Sequence, residues 1–438
     1  MKLLINLMLS APLIVCSVAF AELNAPVPRD LFVKDSYLLT FMPSRPGFAS
    51  VIQPPANDFE TKRNRPVPKF GEHSSGQNKE QLAATLGIKG KVLAIYEAYN
   101  AAHLLIDAVQ AKALRADPRV LDLEQDRYTM SAQTVQNNPG WGLDRMDQAT
   151  TALNSQYVYN SSGAGQTIYV LDSGLDLNNP SVAAEFGTRA TVLYDVNGQG
   201  GADCNGHGAN VASVAADATY GVAKGATLII AKINSGCGRS GQTSTSVLAF
   251  DWLAVNAPRG SVVNWSNGFE TVPRCQPVFS TLLENSIRRA FNAGIVVIVA
   301  AGNDGCNTAD YSPTRMTETF VVGATDSSRL SFGQDARTSF SRFGTNISAF
   351  APGQAIAAMN FNGQAVNVSG TSFSAPYIAG VFAAACQKFA PFCSNPLNKV
   401  SDIFSEARGI GTLGTVVDPG GAALPAGTTS RFISTQRW

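Results

Sequence analysis

Between Thr167 and Ala324 five short apolar runs recur: TIYVL, TLIIAKI, SVVNW, GIVVIVAA and TFVVGA, each bounded by polar or turn-forming residues. Segments with apolar positions at helical spacing lie among them, including SVLAFDWLAVNA and FSTLLENSIRRAFNA. Continuous apolar strands that alternate with helices predict an α/β fold, a mostly parallel sheet covered by helices on both faces. Reactive groups in such sheets gather at the carboxyl ends of the strands. Asp172 ends the first run and Asn303 follows the fourth, so both fall at that edge.

From about Asp30 to Met130 the pattern is different. DSYLLTF reads as a strand, AAHLLIDAVQAKALRADP has helical spacing, and RVLDLEQDRY alternates as a strand. QPPANDFETKRNRPVPKFGEHSSGQNKE is rich in Pro, Gly and charge and predicts a long mobile loop. TMSAQTVQNNPG then predicts an accessible linker. Residues 22–133 are thus expected to form a small α+β domain with a mobile linker, followed by a larger domain over 134–438. Residues 1–21 read as a secretory signal: Lys2, an apolar stretch, and Ala19-Phe20-Ala21 as a small-x-small cleavage site. Val15, bulky before Cys16, argues against lipid attachment there. No later run approaches the roughly 20 apolar residues of a membrane span.

Composition narrows the classes. With 45% apolar and 15% charged residues in 438, the chain can build a sizeable core. A net charge of +1 gives no electrostatic reason to expect nucleic acid or anionic lipid as a partner. Removing the signal leaves Cys204, Cys237, Cys275, Cys306, Cys386 and Cys393. An even count without CxxC spacing, in an exported chain, reads as disulfides, with about 15 possible pairings.

The chain has three histidines, His73 and His103 upstream and His207 in CNGHGANVASVAA. A lone His is more often structural, yet His207 is the one imidazole the large domain has for base catalysis near neutral pH. SGTSFSAP, Ser369 to Pro376, concentrates hydroxyls before the apolar run YIAGVFAAA, where capping alone would explain most of them. A Ser hydroxyl becomes a nucleophile only when a base takes its proton and an acid holds that base's tautomer. Asp172, His207 and Ser372 supply one of each. Ser372, read as preceding a helix whose first turn tolerates Pro376, would lie beside free N–H groups and the positive end of the helix dipole. Asn303, in AAGNDG, offers a side-chain amide as a second oxyanion donor.

With these residues in view, the chain resembles a subtilisin-type serine protease of the proteinase K-like group. The motifs WGLDRMDQ, YVLDSGLD, DCNGHG, YGVAKGA, AAGNDG, YSP, VGATDSS, FAPG and SGTSFSAP carry the resemblance, in the family's order. LRADPRVLDLEQD is similar to the propeptide inhibitor of such enzymes. The resemblance implies a subtilisin-like fold and a secreted or periplasmic endopeptidase, made as a self-processed precursor. Asp172, His207 and Ser372 would be the triad and Asn303 the oxyanion donor, while Ser369 and Ser374 are architecture. It implies disulfides Cys204–Cys237 and Cys275–Cys306, which leaves Cys386 and Cys393 to each other. Ser266, Asn267 and Gly268 fall in the segment that pairs with extended substrate, and Ala300, Ala301 and Gly302 in a wall of the primary pocket. Protein or peptide substrates, the chain's own propeptide as inhibitor, no nucleic acid, and a monomer are the expected partnerships.

No cofactor is expected for catalysis. Asp144, Asp147 and Asn154 resemble a structural calcium site in which Asn154 replaces an acid, and solvated surface carboxylates are the other reading. Ser348 stands where the group has a calcium-binding Asp, so that second site is expected to be absent. Ala209, Asn210 and Asn267 also depart from the family pattern, which predicts altered support around the His and an altered pocket. Phe373 stands where Met is common after the nucleophile. It is expected either to crowd the leaving-group side or to pack against its helix. Two rival functions are an aspartic protease using VLDSG, and a subtilisin fold kept as a non-catalytic binding module. The first would need a second carboxylate sharing a proton. An α/β-hydrolase fits neither the motif nor the order of residues.

Overall fold

The computed structural model describes residues 32–41, 76–96, 101–127 and 133–435, apart from 197, 199, 239–240, 270–272, 390–392, 394–403 and 405–414. The signal segment, most of the Pro-rich loop, His73 and residues 128–132 lie outside the described residues. The chain divides into two compact units, Met1–Ser131 and Ala132–Trp438.

In the first unit β1 (Phe32–Phe41), α1 (Gly76–Leu86), β2 (Lys91–Tyr96), β3 (Ala101–Leu105), α2 (Ala108–Arg115) and β4 (Val120–Arg127) follow in order. Its sheet is antiparallel with strand order β2-β3-β1-β4. Leu39, Phe41, Leu82, Leu104, Leu114 and Leu123 pack as its core. One sequence expectation is corrected here. The stretch from Ala101, read as helical throughout, begins as strand β3. Ala102 and Leu104 are buried alternately, and the helix starts only where Asp107 accepts the Gln110 N–H at 2.7 Å.

The second unit holds β5 (Thr134–Asn137), α3 (Trp141–Met146), β6 (Gln156–Tyr159), β7 (Thr167–Asp172), α4 (Pro180–Phe186) and β8 (Ala190–Asp195). Next come α5 (His207–Ala216), β9 (Thr227–Lys232), α6 (Thr243–Asn256), β10 (Val262–Trp265), α7 (Thr281–Asn292), β11 (Val296–Ala300) and β12 (Phe320–Asp326). The chain continues through β13 (Asp335–Arg337), β14 (Ile347–Pro352), β15 (Ile356–Met359), β16 (Ala365–Val368), α8 (Thr371–Lys388) and β17 (Val416–Val417). Among the described residues nine strands form one sheet, ordered β17-β13-β12-β11-β10-β7-β9-β8 with β14 beside β12. All its pairings are parallel except β12 with β13.

The five apolar runs are β7, β9, β10, β11 and β12, and every residue of β10 and β11 is buried. Helices α5 and α8 pack together and against this sheet. Their close approach needs Gly380, where a Cβ would lie 2.6 Å from Val222 Cβ and 2.9 Å from the Ala215 carbonyl oxygen. Helices α6 and α7 pack as a second pair.

Candidate active site

Asp172 is the last residue of β7, between β9 and β10, and it is fully buried. Its carboxylate accepts the Ser173 N–H at 2.7 Å and lies 2.7 Å from His207 Nδ1. A carboxylate only accepts, so Nδ1 carries the proton, and in a neutral ring the other nitrogen is then the acceptor. The His207 side chain keeps 29% of its surface.

His207 begins α5, and the loop before it explains its placement. Asp203, buried, accepts from Ser173 Oγ at 3.0 Å and from the N–H groups of Asn205 and Gly206, both at 2.9 Å. Its second oxygen accepts Ala209 N–H at 2.8 Å, while Ser173 Oγ accepts Gly208 N–H at 2.8 Å. Asn205 Oδ1 accepts His207 N–H at 3.2 Å, so three side chains satisfy the orphan donors of the helix start and fix where it begins. Disulfide Cys204–Cys237, with Cα atoms 4.9 Å apart, ties the same loop to a distant one. Asn205 Nδ2 donates to the Cys237 and Gly238 carbonyls. Ala209 is fully buried against this arrangement. Sequence reasoning missed Asp203 and Ser173, because they meet only when β7 and the loop before α5 come together in the fold.

Ser372 is the second residue of α8, inside the helix rather than before it. Pro376 is then the sixth residue of the helix, past the first turn where the sequence reading put it. Proline has no N–H, so the Ser372 carbonyl loses its helical partner four residues on. Ser266 Oγ donates to that carbonyl instead, at 2.8 Å, and accepts from Asn264 Nδ2 at 2.9 Å. Ser372 Oγ in turn donates to the Ser266 carbonyl at 3.2 Å. The other hydroxyls of the stretch have structural partners: Ser369 Oγ accepts Ala355 N–H, and Ser374 Oγ donates to the Pro352 carbonyl. Phe373 is only 6% exposed, and its ring lies against that of His207 with centroids 5.6 Å apart. Burial supports the packing alternative for this ring.

Asn303 leaves the end of β11, and its side-chain oxygen accepts from Thr371 N–H at 2.8 Å and Thr371 Oγ1 at 2.9 Å. With the oxygen held by the start of α8, the amide nitrogen lies near the Gly370 turn. A Cβ on Gly370 would come 3.3 Å from Asn303 Nδ2. Ala300 and Ala301 are buried, and Gly302 N–H donates to Thr371 Oγ1 at 3.0 Å. Asn267 Nδ2 donates to the Leu171 carbonyl at 3.1 Å, and a Cβ on Gly268 would meet nothing within 4 Å. Around one helix start, then, stand a hydroxyl, an amide donor and the segments on either side, while a carboxylate-held imidazole packs against the next residue. Such a set can transfer an acyl group.

The remaining site expectations lie elsewhere. Asp144, Asp147 and Asn154 do come together, but Gln148 Nε2 donates to all three, at 3.3, 3.0 and 3.0 Å. Asp144 also accepts the N–H groups of Asn154 and Ser155, and Asp147 that of Val158. Two carboxylates and one amide oxygen fall short of the roughly six to eight oxygens a calcium ion takes, so this set would hold one only with backbone carbonyls added. Nor are these carboxylates on the solvated surface, since both acids are buried. Among the described residues no group of three or more His, Cys, Asp or Glu could hold a metal. Ser348 Oγ, buried, accepts Val321 N–H at 3.2 Å. All three expected disulfides are formed, Cys275–Cys306 and Cys386–Cys393 with Cα separations of 5.5 and 5.6 Å.

Known proteins share this architecture. The sequence model of the Subtilase family matches residues 163–399. The Extracellular serine proteinase of Thermus sp. (strain Rt41A) is 38% identical over 309 residues, 69% of this chain and 70% of the relative. Proteinase R of Parengyodontium album is 30% identical over 369 residues, 80% of this chain and 88% of the relative. Alkaline serine exoprotease A of Vibrio alginolyticus is 39% identical over 286 residues, 64% of this chain, and the match spans half of that relative. The crystal structure of a cold adapted subtilisin-like serine proteinase superposes with a TM-score of 0.59 at 32% identity, covering 68% of this chain and 99% of that one. The chain belongs to the subtilase family and is a subtilisin-like serine endopeptidase of its proteinase K-like group.

Proposed function

We propose that this protease is exported to the periplasm or the medium as a precursor and cuts peptide bonds through Ser372, His207, Asp172 and Asn303. The observation that carries the reading is the 2.7 Å contact between a fully buried Asp172 and His207 Nδ1, beside the start of α8. Ser372 Oγ attacks the peptide carbonyl carbon while His207 takes its proton. The negative oxygen of the tetrahedral intermediate is held by the Asn303 amide and the Ser372 N–H, which lies in the first turn of α8. His207 then gives its proton to the leaving amine, and a water activated by the same ring releases the acyl group from Ser372. Every group the cycle uses is a side chain or backbone amide of one chain, so a monomer suffices. Extended substrate adds as a strand along Ser266–Gly268, its side chain before the cut entering beside Ala300–Gly302.

The first unit serves as the enzyme's own propeptide and inhibitor, released by a cut between Tyr128 and Gln136. The test is intact-mass analysis of wild type and Ser372→Ala, purified without other proteases. Ser372→Ala should remain one uncut chain without proteolysis, since losing the nucleophile costs about a millionfold in kcat in subtilisin, the reference case for that figure. A variant that matures normally would rule out self-processing.

A further inference from the structure

Arg342 grips Asn303 from both sides without touching it. On the far side, its guanidinium makes a two-pronged bond to Asp304, Nε to Oδ1 at 2.7 Å and Nη2 to Oδ2 at 2.6 Å. On the near side, its backbone N–H donates to the Gly302 carbonyl at 3.0 Å. Nη2 also reaches the Phe269 carbonyl at 2.9 Å, on the chain leaving Ser266–Gly268. The guanidinium carbon lies 3.2 Å from the centre of the Tyr311 ring, and the Arg342 side chain is 3% exposed. Arg274 Nε holds the Asp304 backbone carbonyl as well. Gly302 is the residue that makes room, because a Cβ there would come within 2.5 Å of Arg342 Nε. A planar fork buried between a carboxylate and an aromatic face has one arrangement available to it, and lysine cannot reproduce it.

We propose that Arg342 is a positioning residue for the oxyanion donor. Fixed at 302 and 304, the backbone of Asn303 cannot turn, and Thr371 fixes the side-chain oxygen. The amide N–H groups are therefore held in place before any charge develops, which is what makes such a donor effective. This rests on the reading of Asn303 as an oxyanion donor. A role in fold stability alone would leave kcat untouched in the folded fraction, so the two roles separate experimentally.

The experiment measures kcat and KM on a chromogenic peptide anilide, with active-site titration, for Arg342→Met, Arg342→Lys, Asp304→Asn, Asn303→Ala and the double variant R342M/N303A. Arg342→Met should lower kcat about 10- to 100-fold, the scale of a misplacement near 1 Å, with KM changed less than about twofold. Arg342→Lys should fall between it and wild type. Asn303→Ala should cost about 100- to 1000-fold in kcat, and adding R342M to it should cost little more. Asp304→Asn should repeat the pattern of Arg342→Met, and it carries the test if that variant does not fold. An equal loss from R342M with and without Asn303, or a lowered Tm with unchanged kcat, overturns the proposal. Wild-type kcat in Asn303→Ala would overturn the donor reading itself, and this one with it.

Discussion

Phe373 is a buried ring packed against the His207 imidazole. Its ring meets the His207 ring at centroid distance 5.6 Å and an interplanar angle of 50°, so it limits the imidazole's freedom on one face. A methionine here would carry a sulfur that peroxide converts to a polar sulfoxide beside the base. Phe373→Met should therefore lose activity in dilute peroxide several-fold faster than wild type, followed as residual hydrolysis over time. Equal inactivation rates would remove this role. At this scale the sequence was legible in the placement of Asp172 and Asn303 at the carboxyl ends of strands and of His207 at a helix start, because apolar runs and glycines mark those turns. Arg342 and Asp203 were not legible. Arg342 acts across 38 residues on Asp304, and nothing local distinguishes it from a surface arginine. Asp203 works through Ser173, 30 residues away.

Elements are joined by polar clasps that hydrophobic pattern does not encode. The turn between α3 and β6 is pinned by Asp144 and Asp147, with the Gln148 amide at the centre. Burial pushes the Asp147 carboxyl up to about 6, with the nearby Asp144 adding to the rise and the Val158 N–H opposing it. The unfolded chain releases that proton near the usual value of about 3.9. Between those values the unfolded state binds fewer protons than the folded one, so this group's contribution to stability falls as pH rises through the window. The penalty is absent below about pH 4, complete above about pH 6, and on the order of 1–3 kcal/mol. The Tm of wild type minus that of Asp147→Asn should decline from pH 4 to pH 7, and a flat difference would refute the shift. Secondary structure itself was readable wherever apolar runs were continuous. It was misread at β3, where AAHLL satisfies strand alternation and helical spacing alike, and only the Asp107 cap decides where the helix starts.

For the whole molecule, the two long disulfide loops add a property that neither residues nor elements possess. Cys204–Cys237 closes 33 residues of chain and Cys275–Cys306 closes 31. Each contributes about 3–4 kcal/mol on the chain-entropy account. His207 lies inside the first ring and Asn303 inside the second. A purified protease is surrounded by copies of itself, each a protein that it could cut. One cut inside 205–236 or 276–305 opens a ring without releasing any piece, so a nicked molecule keeps all four residues of the site on one covalent body. Enzyme nicked inside either ring should therefore run as a single band on non-reducing electrophoresis and separate into fragments only after reduction, with activity following the non-reduced band. Activity falling in step with the reduced pattern would show that a nick alone disables the site. If it does not, the bridges have turned self-digestion from destruction into wear, and the molecule ages by accumulating breaks it can tolerate.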